Sequence, residues 1–169
     1  MLSLLGFACR DDELEVRNIL MSNPACDING RGAMGYACLH HACEYGADRI
    51  VSLLLAHPDI NVNQKYREGT TPFMVAYSNG MTSCVRLLLQ DPRVNLSEPD
   101  EKGLTPIRVA ADKNFYDIIR WWIASGRELD LGEPGRGSLT YELERFAEDP
   151  EQTRKKMRAQ LRVTGEIPP

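Results

Sequence analysis

No stretch of this sequence stays apolar for the roughly 18 residues that a membrane-spanning helix needs. Positive charge is also scarce: 20 Lys and Arg against 24 Asp and Glu leave a net charge of −4. A general grip on phosphate backbones requires a basic footprint, so the composition argues against nucleic acid as the main partner. Paired cysteine spacings are missing too. The five thiols are an odd number and form no CxxC pairs, which argues against a disulfide scaffold and for a reducing, cytoplasmic setting, with a nuclear location left open. The opening MLSLLGFACR is apolar but has no basic flank or cleavage site, a poor match to a secretory signal. What is present, 43% hydrophobic and 26% charged residues, excludes a wholly disordered chain.

The 169 residues fall one short of five times 34, and 34 is the period of the chain. Ala8, Ala42, Ala76 and Ala110 recur at that spacing. So do Leu5, Leu39, Phe73 and Ile107, and the series Ile19, Leu53, Leu87 and Trp121. Pro24, Pro58 and Pro92 form another column, Gly35, Gly69 and Gly103 another, and Ile28, Val62 and Leu96 one that fails at Asp130. Several independent columns in one register are hard to obtain by chance.

The unit can be read physically. Thr71 suits a helix N-cap, its hydroxyl accepting an orphan backbone N–H, and Pro72 suits the first helical position, where no N–H is needed. Thr105-Pro106 repeats the arrangement; Ser3 holds the cap slot in the first unit, and Ala37 weakens it in the second. A short helix over 72–78 ends at Asn79-Gly80, and a second over 83–90 stops before Pro92. The alanine column is small because two helices approach closely there.

This pattern resembles the ankyrin repeat. Gly69-Thr70-Thr71-Pro72-Phe73-Met74-Val75-Ala76 and Gly103-Leu104-Thr105-Pro106-Ile107-Arg108-Val109-Ala110-Ala111 carry the resemblance, with Gly35-Tyr36-Ala37-Cys38-Leu39-His40-His41-Ala42 in the second unit. The segments 57–63 and 91–97 look like the inter-repeat turns, and the extra residue per period falls in the loop after the second helix. The resemblance implies an all-α solenoid with repeats at about 1–34, 35–68, 69–102 and 103–135. His40 alone fills the family's histidine slot, where the side chain bonds neighbouring backbone; Gly6, Met74 and Arg108 stand there in the other units, which predicts a less uniform stack.

After Gly135 the register fails, because one period beyond Ala110 lies Glu144. Leu139, Leu143, Phe146 and Ala147 share one helical face instead. Asp149-Pro150-Glu151-Gln152 then reads as the start of another helix, with Met157 and Leu161 on its apolar side. The expectation is a helical cap over 136–163, followed by a frayed tail at 164–169.

Two segments suggest chemistry. Cys38-Leu39-His40-His41-Ala42-Cys43 offers four potential ligands, but the register makes each a packing residue, with His41 on the inner helix face, and no second ligand pair lies elsewhere. No catalytic, cofactor or metal residue is therefore assigned. Cys9 and Cys43 share a column, Cys26 joins Ile60 and Val94, and Cys84 joins Ile50; all read as core. The run Arg154-Lys155-Lys156-Met157-Arg158, with Arg162, is basic without acids, and cations sit well near a helix C-terminus. Its rival role is a localisation or nucleic-acid adaptor. Trp121 and Trp122 read as core, with Trp122 expected to reach the cap.

The resemblance implies a monomeric, non-enzymatic module that presents a concave surface to a protein partner. By position, that surface holds Arg31, Met34, Tyr36, Glu44 and Tyr45 in the second unit, and Lys65, Arg67, Glu68, Ser78 and Asn79 in the third. Glu101, Lys102, Asp112 and Lys113 follow in the fourth. Tyr36, Tyr45, Met34 and Arg67 rank first, because tyrosine, methionine and arginine favour interface cores. A metal- or thiol-dependent enzyme is the weakest alternative.

Overall fold

The computed structural model describes residues 12–23, 26–32, 35–99, 103, 105–131 and 141–165, with backbone alone for Glu68, Tyr141 and Glu142. The chain separates into two compact units, Met1–Asn95 and Leu96–Pro169.

In the first unit α1 spans Glu13–Ser22, α2 Cys38–Tyr45, α3 Asp48–Leu55, α4 Pro72–Ser78 and α5 Thr82–Gln90, with a 3-10 turn at Arg67–Gly69. Asp12 caps α1 through its carboxylate, which accepts the Glu15 N–H at 3.1 Å. Thr71 caps α4 as expected, accepting the Met74 N–H at 3.3 Å, whereas Ala37 gives α2 no side-chain cap. Within each repeat the two helices pair, α2 with α3 and α4 with α5. Between repeats like packs on like: α2 on α4, α3 on α5, and α1 on α3. Ala42 and Ala76 have no exposed surface, which places the alanine column where helices meet most closely. Ile19, Leu53 and Leu87 are only half-buried, and the interior stripe is Val16, Ile50 and Cys84, each 0% exposed. Apolar residues on adjoining positions of one helix leave its exact inward direction undetermined by sequence.

The inter-repeat loops are joined by an asparagine ladder. Asn29 accepts the Asn61 N–H at 2.8 Å and donates to the Asp59 carbonyl at 2.8 Å. Asn63 repeats both bonds with the Asn95 N–H (2.8 Å) and the Arg93 carbonyl (2.7 Å). Each side chain thus satisfies two backbone groups that the loop geometry leaves unpaired.

The second unit holds α6 Pro106–Asp112, α7 Tyr116–Ser125, α8 Tyr141–Glu148 and α9 Pro150–Val163. Helix α9 packs against both α7 and α8, so the cap seen in the sequence covers the last repeat helix. Asp149 starts α9 by accepting the Gln152 N–H at 3.0 Å, and the Thr153 hydroxyl donates back to the Arg145 carbonyl at 3.0 Å. Leu143, Phe146, Met157 and Leu161 are buried, but Ala147 is exposed and leaves the apolar face drawn for α8; Leu139 and residues 166–169 lie outside the described residues. Thr164 and Gly165 form a turn.

One detail departs from the sequence-based picture, that of Thr105, while Trp121 and Trp122 are buried as read. Thr105 has N-cap backbone geometry, yet its hydroxyl makes no capping bond and is buried without a hydrogen-bond partner among the described residues. Trp121 faces α9, sharing a groove with Met157 and Leu161. Trp122, 1% exposed, sends its indole N–H to the Glu128 carbonyl at 3.2 Å.

Candidate functional site

The tip loop between α1 and α2 is closed by an antiparallel bridge between Arg31 and Ala37. The Gly32 N–H donates to the Tyr36 carbonyl at 2.9 Å, and the Gly35 N–H to the Gly32 carbonyl at 2.8 Å. Gly35 sits at φ +88°, and a Cβ there would come within 2.9 Å of the Tyr66 ring. Glycine is required on both counts, and the close approach delivers Tyr36 to its neighbours.

Those neighbours form a continuous aromatic patch across two repeats. The Tyr36 and Tyr66 ring centroids lie 4.2 Å apart, edge to face. Tyr36 also stacks on His40 at 5.4 Å and meets His41 edge-on at 5.0 Å. His41 in turn lies parallel to Tyr45 at 6.4 Å, and the Arg67 guanidinium sits 5.7 Å from the Tyr66 centroid. Contacts of this kind hold side chains in fixed orientations before any partner arrives. Tyr45 is 61% exposed, Tyr36 and Tyr66 are half-buried, and Arg31, Lys65 and Arg67 are exposed.

Charge on the patch follows from burial. Burial lowers the His40 pKa to about 4, opposed by backbone hydrogen bonding to Thr70 and Gln64. His40 is therefore neutral at neutral pH, and since a carbonyl can only accept, its Nε2–H donates to the Thr70 carbonyl 3.2 Å away. That bond joins one repeat to the next, as the histidine slot implies. Burial also lowers the His41 pKa, against the pull of the Glu44 carboxylate 3.7 Å from its Nδ1. Tyr36 is raised by burial first, then by Glu44 and Tyr66. The result is an uncharged aromatic centre rimmed by Arg31, Lys65 and Arg67, with Glu44 at one side.

The structure brings together Arg31, Tyr36, Glu44, Tyr45, Lys65 and Arg67 from the anticipated surface, and Arg31 is anchored by donating to the Lys65 carbonyl at 2.7 Å. Asn79, in the same unit, uses its amide to donate to the Val75 carbonyl at 2.9 Å, closing α4, with half-buried Ser78 beside it. Asp112 and Lys113 are exposed at the end of α6 in the second unit. Met34, Glu101 and Lys102 lie outside the described residues, as does the Glu68 side chain. Tyr66 was missed. Its signal was an aromatic beside Arg67 in a tip loop, a position no repeat column marks.

Three of the thiols, Cys38, Cys43 and Cys84, are packing residues in this arrangement. Each is at most 1% exposed, and burial pushes the Cys43 thiol well up, reinforced by Cys84 and then Cys38. A thiol so protected is poorly nucleophilic. Cys26 is half-buried and free, and Cys9 lies outside the described residues. Among the described residues, no three His, Cys, Asp or Glu side chains are grouped to hold a metal ion. No described helix is long and apolar enough to cross a membrane.

In the fourth repeat Arg108 takes the histidine slot, is 3% exposed, and donates from Nε to the Leu131 carbonyl. The basic run of α9 divides by role. Arg154 lies 3.4 Å from Glu151 and 5.3 Å from the Phe146 centroid. Arg158 donates to the Ala124 carbonyl at 2.7 Å, satisfying the C-terminal end of α7 beside Gly126, whose φ is +78°. Lys155, Lys156 and Arg162 remain exposed.

Paired helices stacked in register, with tip loops carrying a preset aromatic face, define a tandem-repeat binding module. The chain belongs to the ankyrin-repeat family: the family's model, ankyrin repeats in three copies, matches residues 39–132, more than half of its length. Ankyrin repeats are generally protein–protein interaction modules and are typically non-enzymatic. No match to a curated protein was found.

Proposed function

We propose that this protein is a non-enzymatic adaptor that binds a protein partner through the tip-loop and inner-helix face of its first unit. The observation carrying this reading is the Tyr36, His41, Tyr45 and Tyr66 cluster. Tyr45 is exposed, Tyr36 and Tyr66 are half-buried and His41 is buried, although each ring is already held by neighbours. Preset side chains lose little freedom on binding, so more of the contact energy appears as affinity. Arg31, Lys65 and Arg67 supply an orienting rim, and tyrosine and arginine are the residue types most often found at binding hot spots. The rim fits a partner segment that carries acids around an apolar or aromatic anchor.

Affinity capture with the whole chain tests this. The variant Tyr36→Ala/Tyr45→Ala/Arg67→Ala should lose the partners that the wild type retains, with the helical circular dichroism signal preserved. Undiminished capture would move the site elsewhere.

A further inference from the structure

The asparagine ladder of the first unit holds a chemical site that the binding face does not use. Asn29 and Asn63 make matching bonds one period apart, but Gly30 follows Asn29 whereas Gln64 follows Asn63. An asparagine side chain can be attacked by the backbone nitrogen of the next residue. That nitrogen gives up its proton and bonds to the side-chain carbon, and the amide nitrogen leaves as ammonia. Water then opens the cyclic imide to aspartate or isoaspartate, so the exchange needs no oxidant or reductant. A glycine successor favours the attack, because no side chain crowds its nitrogen and its backbone reaches the bent geometry easily. A long side chain such as that of Gln64 hinders it.

The closed ladder blocks this reaction. The Asn29 amide is held at both ends, by the Asn61 N–H and the Asp59 carbonyl, each at 2.8 Å. Its backbone is fixed as well: the N–H donates to the Asp27 carboxylate at 3.0 Å, and the carbonyl accepts from the Gln64 side chain at 2.9 Å. The attacking group is engaged too, the Gly30 N–H donating to the Asp27 carbonyl at 3.0 Å. Asn29 and Gly30 are nevertheless only half-buried, and a surface loop opens locally at less cost than global unfolding. Once converted, residue 29 cannot close the ladder again. A carboxylate still accepts from Asn61, but it has no N–H for the Asp59 carbonyl and brings a second negative charge close to Asp27. Isoaspartate also lengthens the main chain and displaces Gly30. The chain's other Asn-Gly pair, Asn79-Gly80, lies outside the ladder and closes α4 alone, so its conversion leaves the loops joined.

We propose that Asn29-Gly30 is a spontaneous deamidation site gated by the ladder, and that its conversion irreversibly unclasps the first inter-repeat loop from the second. The whole chain is incubated at mildly alkaline pH, with and without denaturing urea. Positions 29 and 63 are followed by peptide mass spectrometry and by methyl transfer from an isoaspartyl methyltransferase. Acid is expected at position 29 of the folded chain, faster in urea, and far more slowly at position 63 under both conditions. Gln64→Ala removes one bond to Asn29 and leaves the Asn29-Gly30 pair intact. It should speed conversion of the folded chain about two- to tenfold. Asn29→Asp, the product made directly, should raise the unfolded fraction at a given urea concentration about tenfold. The proposal is overturned by no acid at position 29, by equal conversion at position 63, or by a rate that urea or Gln64→Ala leaves unchanged. Wild-type stability of Asn29→Asp would overturn it as well.

Discussion

His40 shows how one side chain serves both the stack and its surface. It is 1% exposed, spans from one repeat to the next through the Thr70 carbonyl, and backs the Tyr36 ring. Its folded pKa of about 4 lies below the ordinary 6.5. The unfolded chain therefore binds the proton more readily, and stability is lost as pH falls through that interval. From about pH 7.5 to about pH 5, His40 alone should remove about 2 kcal/mol. His41, lowered in the same direction, adds to the loss. Urea unfolding at both pH values tests this: His40→Gln, which keeps a donor for Thr70, should flatten the dependence by about half or more. An unchanged slope would place the titration elsewhere. The role of His40 was legible from its register, but that of Arg108 was not. A buried guanidinium in a histidine slot reveals its purpose only when the Leu131 carbonyl is seen to accept from it.

At the scale of the element, Thr-Pro dipeptides marked where α4 and α6 begin, and both helices start at the proline. Identical dipeptides nevertheless have different energetics. Thr71 accepts the Met74 N–H, whereas the Thr105 hydroxyl is buried without a partner among the described residues. Losing an N-cap costs about 1 kcal/mol, while replacing an unsatisfied buried hydroxyl by a methyl group is neutral or stabilising. Thr71→Val should thus lower stability by about 1 kcal/mol and Thr105→Val should leave it unchanged or raise it. Equal losses in thermal or urea unfolding would refute the distinction. The cap helices were legible for a similar reason: Asp149, Pro150 and Gln152 are local signals whose chemistry needs no tertiary context. Ala147 was misjudged because alanine is small enough to sit on either face of a helix, and spacing alone does not choose between them.

For the whole molecule, the 34-residue period determined the architecture, because each column stands for a contact every repeat must make with the next. The binding face was only partly legible. Periodicity identifies what repeats must share, whereas a specific surface is made from what they do not share. Tyr36, Tyr45 and Tyr66 have no counterparts one period on: Thr70, Asn79 and Asp100 stand there instead. That difference concentrates aromatic surface in the second and third repeats, and it is why the adaptor reading rests there. Photo-crosslinking with benzoylphenylalanine is the most direct measurement. Placed at Tyr45, the exposed ring of the aromatic patch, it should trap the partner. Placed at Ser52, exposed on the second helix α3, it should not. Efficient trapping at Ser52 with none at Tyr45 would contradict the account.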